Sequence, residues 1–224
     1  MKKIILIFSL LSGIHAIGQD STQAFTALSR FSVAGAPIDF LIGRYRIDVD
    51  FQLGGKIEKW LSISPVWYSY QTKLFVEARN RNRGFDPGDS VRGAGINLQL
   101  KFVENRIAPN LKLYLALGVG YHALTYRFSD YNFEAFKQDG LEYFEYRLGD
   151  QFERIRRVET FVAGGFRYFF NKRVFLDTQV GIKYNSPSIS GSLYIPRRHD
   201  FSVYDQGYKG LSPRAMLTFG YAIW

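Results

Sequence analysis

Apolar and polar residues alternate along most of this chain, most clearly from Leu111 to Tyr126. Leu111, Leu113, Leu115, Leu117, Val119 and Tyr121 share one face of an extended chain. Lys112, Tyr114, Ala116, Gly118, Gly120 and His122 share the other. A period of two marks a strand, because successive side chains of a pleated strand point to opposite faces, whereas a helix would mix the two sets. Arg44–Leu53 repeats the pattern, with Tyr45, Ile47, Val49, Phe51 and Leu53 opposite Arg44, Arg46, Asp48, Asp50 and Gln52. So do Trp60–Tyr70, Val91–Phe102, Val158–Phe170, Val174–Tyr184 and Leu211–Trp224. Ala24–Ala34 supplies a less regular first strand, in which Phe31 and Val33 alternate with small residues. Pro65 has no N–H for a ladder, so a bulge or local break is expected there.

The connections alternate in length. Short ones fall near 54–59, 104–110 and 171–173; long polar ones fall at 71–90, 128–156 and 185–211. Within the second long segment, Glu142–Arg157 is compatible with a helix or with an extended hairpin. The segment Gly35–Gly43 holds Pro37-Ile38-Asp39-Phe40-Leu41-Ile42, too apolar for an ordinary exposed loop and suited to a strand or a membrane interface. Eight strands joined alternately by short and long connections describe an all-β fold, an eight-stranded antiparallel up-and-down transmembrane β-barrel with short periplasmic turns and longer outer loops. A membrane crossing by a tilted strand needs about 9–11 residues, which these segments supply.

Alternation alone does not say which face is inside, since a soluble lipocalin-like carrier barrel has eight alternating strands with the apolar face inward. The glycines favour the membrane arrangement. Gly93, Gly95, Gly118, Gly120, Gly165, Gly181 and Gly220 all fall on the polar face, with Gly164 the exception. A narrow lumen needs small residues to make room for long ones, and a solvated outer face does not. The polar face also carries both charges: Arg46, Asp48, Asp50, Lys101, Lys112, Glu159, Arg167, Asp177 and Lys183. Inside a small barrel these groups would pair, because unpaired buried charge is costly. Phe51, Phe102, Phe170 and Tyr184 lie near strand ends on the apolar face, as interfacial aromatic girdles do.

The N-terminus adds an address. A basic start at Lys2-Lys3, an apolar run Ile4–Leu11 and a small-residue end Ala16-Ile17-Gly18 form a secretory signal peptide, with cleavage expected after Gly18. Residues 1–18 are then the signal and 19–224 the barrel domain. No Cys follows the apolar run, so lipid anchoring is not expected. The chain has no Cys at all, and stability must come from the sheet rather than from disulfides. The formal charge is +9; loss of Lys2 and Lys3 leaves +7. That excess suits anionic headgroups or sugar phosphates and does not by itself indicate nucleic acid.

With these features the chain resembles small outer-membrane β-barrels of the OmpA/OmpX kind, and more closely the uncharacterised outer-membrane barrel proteins of Bacteroidota. The resemblance is carried by the Ala16-Ile17-Gly18-Gln19 signal end, by Gly43-Arg44-Tyr45-Arg46 leading through Phe51-Gln52-Leu53 to Leu61-Ser62-Ile63, and by the last strand. It implies Sec-type export, cell outer membrane location and assembly by the insertion machinery that reads the last strand. Thr218, Gly220 and Ile223 fit that machinery's polar-x-Gly-x-x-apolar spacing, while Trp224 ends the chain on the polar-face parity.

Catalytic signals are thin. The mature chain has two histidines, His122 on the lumen face and His199 in a polar loop. Small barrels that modify lipid A or phospholipid resemble this architecture and use His with Ser or acidic partners. No Ser follows His122 in that spacing, so it reads better as a lumen hydrogen-bonding residue. Asp48 and Asp50 read as part of an ion network with Arg44 and Arg46 rather than as a catalytic carboxylate pair. Asp86-Pro87-Gly88-Asp89 lacks the later ligands of a calcium loop and reads as a turn. Gly118 and Gly120 belong to a strand, not a nucleotide loop. No metal site or cofactor is expected. The basic clusters Arg79, Arg81 and Arg83, then Arg154, Arg156 and Arg157, then Arg197 and Arg198 are either solvated loop charge or contacts to lipopolysaccharide phosphates. A lumen filled by side chains excludes a general porin and leaves at most a narrow solute channel.

Overall fold

A computed structural model of the chain describes residues 31–41, 43–53, 58–71, 90–108, 110–191 and 206–223. They form eight antiparallel strands and one short helix. The order is β1 (Phe31–Gly35), α1 (Pro37–Leu41), β2 (Arg44–Leu53), β3 (Glu58–Gln71), β4 (Ser90–Ala108), β5 (Leu111–Gln138), β6 (Leu141–Phe169), β7 (Val174–Gly191) and β8 (Gly210–Ile223). Each strand pairs with the next, and β1 pairs with β8, so the sheet closes into a barrel. Closure removes the sheet edges that would otherwise be left unpaired.

The two-residue period decides the faces. In β2, Arg46, Asp48 and Asp50 are buried while Tyr45, Ile47 and Phe51 are exposed. In β5, Tyr114, Ala116, His122 and Leu124 are buried while Leu115, Leu117, Val119 and Tyr121 are exposed. Most large aliphatic side chains therefore face outward around the ring, while charged and small residues, together with several aromatic ones, face the lumen. Pro65 interrupts the β2–β3 ladder without a bulge: pairing stops at Arg46↔Val66 and resumes in the same register at Val49↔Ile63. Pro65 still sits opposite Ile96 in the β3–β4 ladder. A bulge occurs instead in β4, where the register shifts between Glu104 and Ala108.

The main departure from expectation is the segment 128–156. It is not a loop: β5 and β6 run on as a hairpin, 28 and 29 residues long, and are paired throughout. Asp139 (φ 54°) and Gly140 (φ 78°) make the turn. Two successive left-handed residues are what a tight two-residue hairpin requires, and Asp-Gly is a favoured pair for it. That dipeptide is the local signal separating hairpin from helix. Among the described residues, the last β5 residue paired with β4 is Arg127, opposite Ser90, and the last β6 residue paired with β7 is Glu153, opposite Gly191. Residues 128–152 therefore rise above the ring as a two-stranded ribbon. Cross-strand aromatic pairs hold it, Phe133 with Tyr146 (centroids 4.8 Å apart) and Phe136 with Tyr143 (5.5 Å). β7 likewise extends to Gly191, into the expected third loop.

The apolar segment after β1 is the helix α1 rather than a strand. Its Ile38, Phe40 and Leu41 are exposed, and its buried Asp39 pairs with Arg44 at 2.5 Å. The expected signal peptide, the loop 72–89 and Trp224 lie outside the described residues.

The lumen glycines are demanded by space. A Cβ on Gly181 would meet the Val162 carbonyl oxygen and come within 2.6 Å of Ala163 Cα, both on the neighbouring strand's backbone. A Cβ on Gly164, the outward-facing exception, would meet nothing within 4 Å. Gly181→Ala is expected to lower unfolding stability by roughly 1–3 kcal/mol through overpacking, and Gly164→Ala to leave it nearly unchanged. Urea midpoints of the two variants in detergent check this; equal midpoints would show that the lumen yields to an added methyl.

Candidate functional site: the polar lumen

Most buried charged side chains among the described residues gather in the lumen, in two networks placed at opposite ends. The first lies toward the short turns. Arg167 of β6 is its centre. Its guanidinium Nη2 donates to Asp50 Oδ2 of β2 and, at 2.7 Å, to Asp177 Oδ2 of β7. Its Nε donates to Asp177 Oδ2 at 3.1 Å and its Nη1 to Ser32 Oγ of β1 at 3.3 Å. Lys101 Nζ of β4 lies 3.0 Å from Asp177 Oδ2 and 3.4 Å from Asp50 Oδ2. The hydroxyls of Ser62 and Tyr114 donate to the remaining oxygens, Asp50 Oδ1 and Asp177 Oδ1. Two carboxylates thus meet two cations, and strands β1 to β7 all contribute to one cluster. An aromatic shell surrounds it. The Arg167 guanidinium sits 4.1 Å from the Phe175 ring centroid and 5.3 Å from that of Trp60, and Lys101 Nζ is 5.1 Å from that of Tyr114. Phe169, Phe175, Ala34 and Ala222 pack together at this end.

The second network lies toward the long connections. Glu159 of β6 is surrounded by His122 (3.5 Å), Arg157 (3.4 Å), Lys183 (3.2 Å) and Arg214 (3.6 Å). Arg46 pairs with Asp48 at 2.6 Å and donates to Ser64 Oγ at 3.1 Å. His122 is buried between Tyr68 Oη (2.9 Å from Nδ1) and Asn97 Oδ1 (3.1 Å from Nε2). It lies inside the closed ring. Beside it, Val66, Tyr68, Val91, Leu124, Tyr126 and Ile155 form an apolar cluster.

All nine charged residues expected in the lumen do face it: Arg46, Asp48, Asp50, Lys101, Lys112, Glu159, Arg167, Asp177 and Lys183. Lys112 pairs with Glu58 at 2.7 Å. The sequence reading missed Arg214 and the aromatic shell. Arg214 lies on β8 in phase with Thr218 and Gly220, so the same alternation could have found it. One basic cluster needs correction. Arg154 and Arg156 are exposed on the outer face of β6, but Arg157 is buried in the lumen, because the alternation puts it in phase with Glu159 and Arg167. Arg79, Arg81, Arg83, Arg197, Arg198 and His199 lie outside the described residues. No group of three His, Cys, Asp or Glu side chains among the described residues is arranged to hold a metal ion.

Side chains of the described residues occupy most of the lumen. A cavity of about 100 Å³ lies in the second network, walled by Arg44, Arg46, Arg157, Lys183 and Arg214 among others. A second, of about 10 Å³, lies between Trp60, Lys101 and Arg167. The smaller volume is below or at what one water needs.

No family model matches the chain, and no curated protein sequence matches it. Solved structures do share the fold. A major outer membrane protein from Thermus thermophilus superposes with a TM-score of 0.51 at 13% identity, covering 86% of this chain and 98% of that one. CarO of Acinetobacter baumannii gives a TM-score of 0.40 at 14% identity, covering 88% of this chain and 98% of that one. The fold is that of an antiparallel up-and-down β-barrel of the kind seen in an outer-membrane protein.

Removing one member of a buried charge cluster strands its partners. Arg167→Met leaves Lys101 as the one described cation bridging Asp50 and Asp177, and is expected to cost about 3–5 kcal/mol. The double variant Arg167→Met/Asp177→Asn should cost less than the sum of the single changes, by roughly 0.5–3 kcal/mol. Chemical denaturation of the four proteins in one detergent measures the coupling; strict additivity would show that the cluster is not a unit.

Proposed function

We propose that this chain is an outer-membrane β-barrel protein with a structural or surface-interaction role, related to small barrels of the OmpA/OmpX kind and the Bacteroidota outer-membrane barrels. The observation that carries the reading is the sidedness of the wall. Leu115, Leu117, Val180 and Ile182 are exposed around the outside, while the charged groups pair within. A contiguous apolar belt of this size calls for a cover, and lipid tails cover the outer face of a membrane barrel. A soluble carrier barrel would need the opposite sidedness. The glycine-packed lumen and its ion pairs support a pillar rather than a porin.

On this reading, export through the signal peptide removes residues 1–18, and the insertion machinery recognises β8. Phe51 and Tyr184 sit at the interfacial levels. The exposed α1 side chains Ile38, Phe40 and Leu41 lie at the outer interface. Arg154 and Arg156 meet lipopolysaccharide phosphates, as Arg side chains pair well with anionic oxygens. The 128–152 ribbon, which exposes Phe133, Phe144 and Tyr146 beyond the ring, presents a surface to a partner.

Fractionation of cells making the native protein, with heat-dependent gel mobility in detergent, tests this. Recovery in the outer membrane with a band that shifts on boiling is the expected outcome; recovery as a soluble protein without detergent would sink the reading. Leu117→Arg, at mid-belt, should lower folded stability in lipid by about 2–4 kcal/mol, whereas Glu142→Arg near the ribbon tip should not.

A further inference from the structure

We infer that the second lumen network is a binding site for a small free oxyanion of the phosphate or sulfate class. Five cationic side chains wall the cavity of about 100 Å³: Arg44 and Arg46 from β2, Arg157 from β6, Lys183 from β7 and Arg214 from β8. Among the described residues only one carboxylate, Glu159, stands in that wall with them. Asp39 pairs with Arg44 and Asp48 with Arg46, which leaves Glu159 as the one wall carboxylate facing the three wall cations Arg157, Lys183 and Arg214. The first network has no such excess around its two carboxylates and two cations.

The excess is accompanied by unused donors. Arg214 is 9% exposed, and its Nε and Nη2 make no hydrogen bond to the described residues; its ion pair with Glu159 is a looser 3.6 Å contact through Nη1. The Nε atoms of Arg44 and Arg157 are likewise buried without a partner among the described residues. Buried donors left unsatisfied cost free energy, and a charged group costs more. A stack on Phe161, with the guanidinium carbon 3.7 Å from the ring centroid, fixes the plane of Arg214. Its in-plane N–H groups are thereby held in one orientation in the cavity wall. Cations arriving from four strands surround a compact centre, which suits an ion with acceptors in several directions. The volume of about 100 Å³ is several times what a single water needs and gives room for a tetrahedral oxyanion. Guanidinium groups hydrogen-bond such oxygens with charge assistance.

The test uses the full chain refolded in detergent micelles, in chloride buffers of constant ionic strength, with inorganic phosphate as the probe. Calorimetric titration is expected to show saturable binding at one site per chain, with a matching rise in the thermal midpoint. Arg214→Gln should weaken binding tenfold or more. Arg173→Gln, which removes a positive charge from an exposed turn at the far end, should leave it unchanged. Absence of saturable binding to the unaltered protein would overturn the proposal, and so would unchanged binding by Arg214→Gln showing the folded gel band. If that variant does not fold, Lys183→Met carries the same two outcomes. Glycerol 3-phosphate separates a free ion from a headgroup on a larger molecule. It should bind at least tenfold more weakly than phosphate; equal binding would overturn the assignment to a free ion.

Discussion

The ion cluster around Arg167 ties the barrel together across its lumen. Its guanidinium joins Asp50 of β2 to Asp177 of β7, and Lys101 of β4 joins the same two carboxylates. These are contacts between strands far apart in sequence, laid across the inside of the ring that the β1–β8 ladder closes. Strand number and the registers of the ladders set how wide the ring is. The Asp50–Arg167–Asp177 bridge spans and fills that width. The cluster is tolerable because every charge has a partner and the aromatic faces of Phe175 and Trp60 fill the space that water would otherwise take.

That constraint propagates outward. With charges confined within, the alternation leaves Leu, Val, Ile and aromatic side chains on the outside of the same strands. Small residues must then appear inside wherever a long side chain crosses. Gly118 leaves room for the Phe161 ring, and Gly220 for that of Phe175. Sidedness, glycine phase and lumen pairing are one arrangement seen from three directions. At the far end the constraint relaxes: β5 and β6 outrun their neighbours, and their ribbon exposes apolar side chains on both faces.

The two halves of the lumen differ in balance. Near the short turns, carboxylates and cations match and aromatics close the space. Near the long connections, the described cations outnumber the acids and a cavity remains. A purely structural pillar needs only the first kind of packing. The second kind gives this barrel a place where a solute could be held without passing through.

Which residues face which way is written in the local chain. From Arg44 to Leu53, or Leu111 to Tyr126, the two-residue period is a property of the extended backbone and needs no knowledge of distant neighbours. It therefore placed all nine charged lumen residues, and the glycine phase said which face was crowded. Arg157 belongs to the lumen and not with Arg154 and Arg156, because alternation splits that run of arginines between the two faces. The period did not resolve 128–156, where the Asp139-Gly140 turn was a signal of two residues amid a long charged stretch. Pairing across the lumen, by contrast, exists only in the closed ring. The distance from Arg167 to Asp50 depends on that closure and on the register of every ladder between them, and no local pattern encodes that sum. The same holds for the excess of cations around Arg214, whose neighbours come from separate strands.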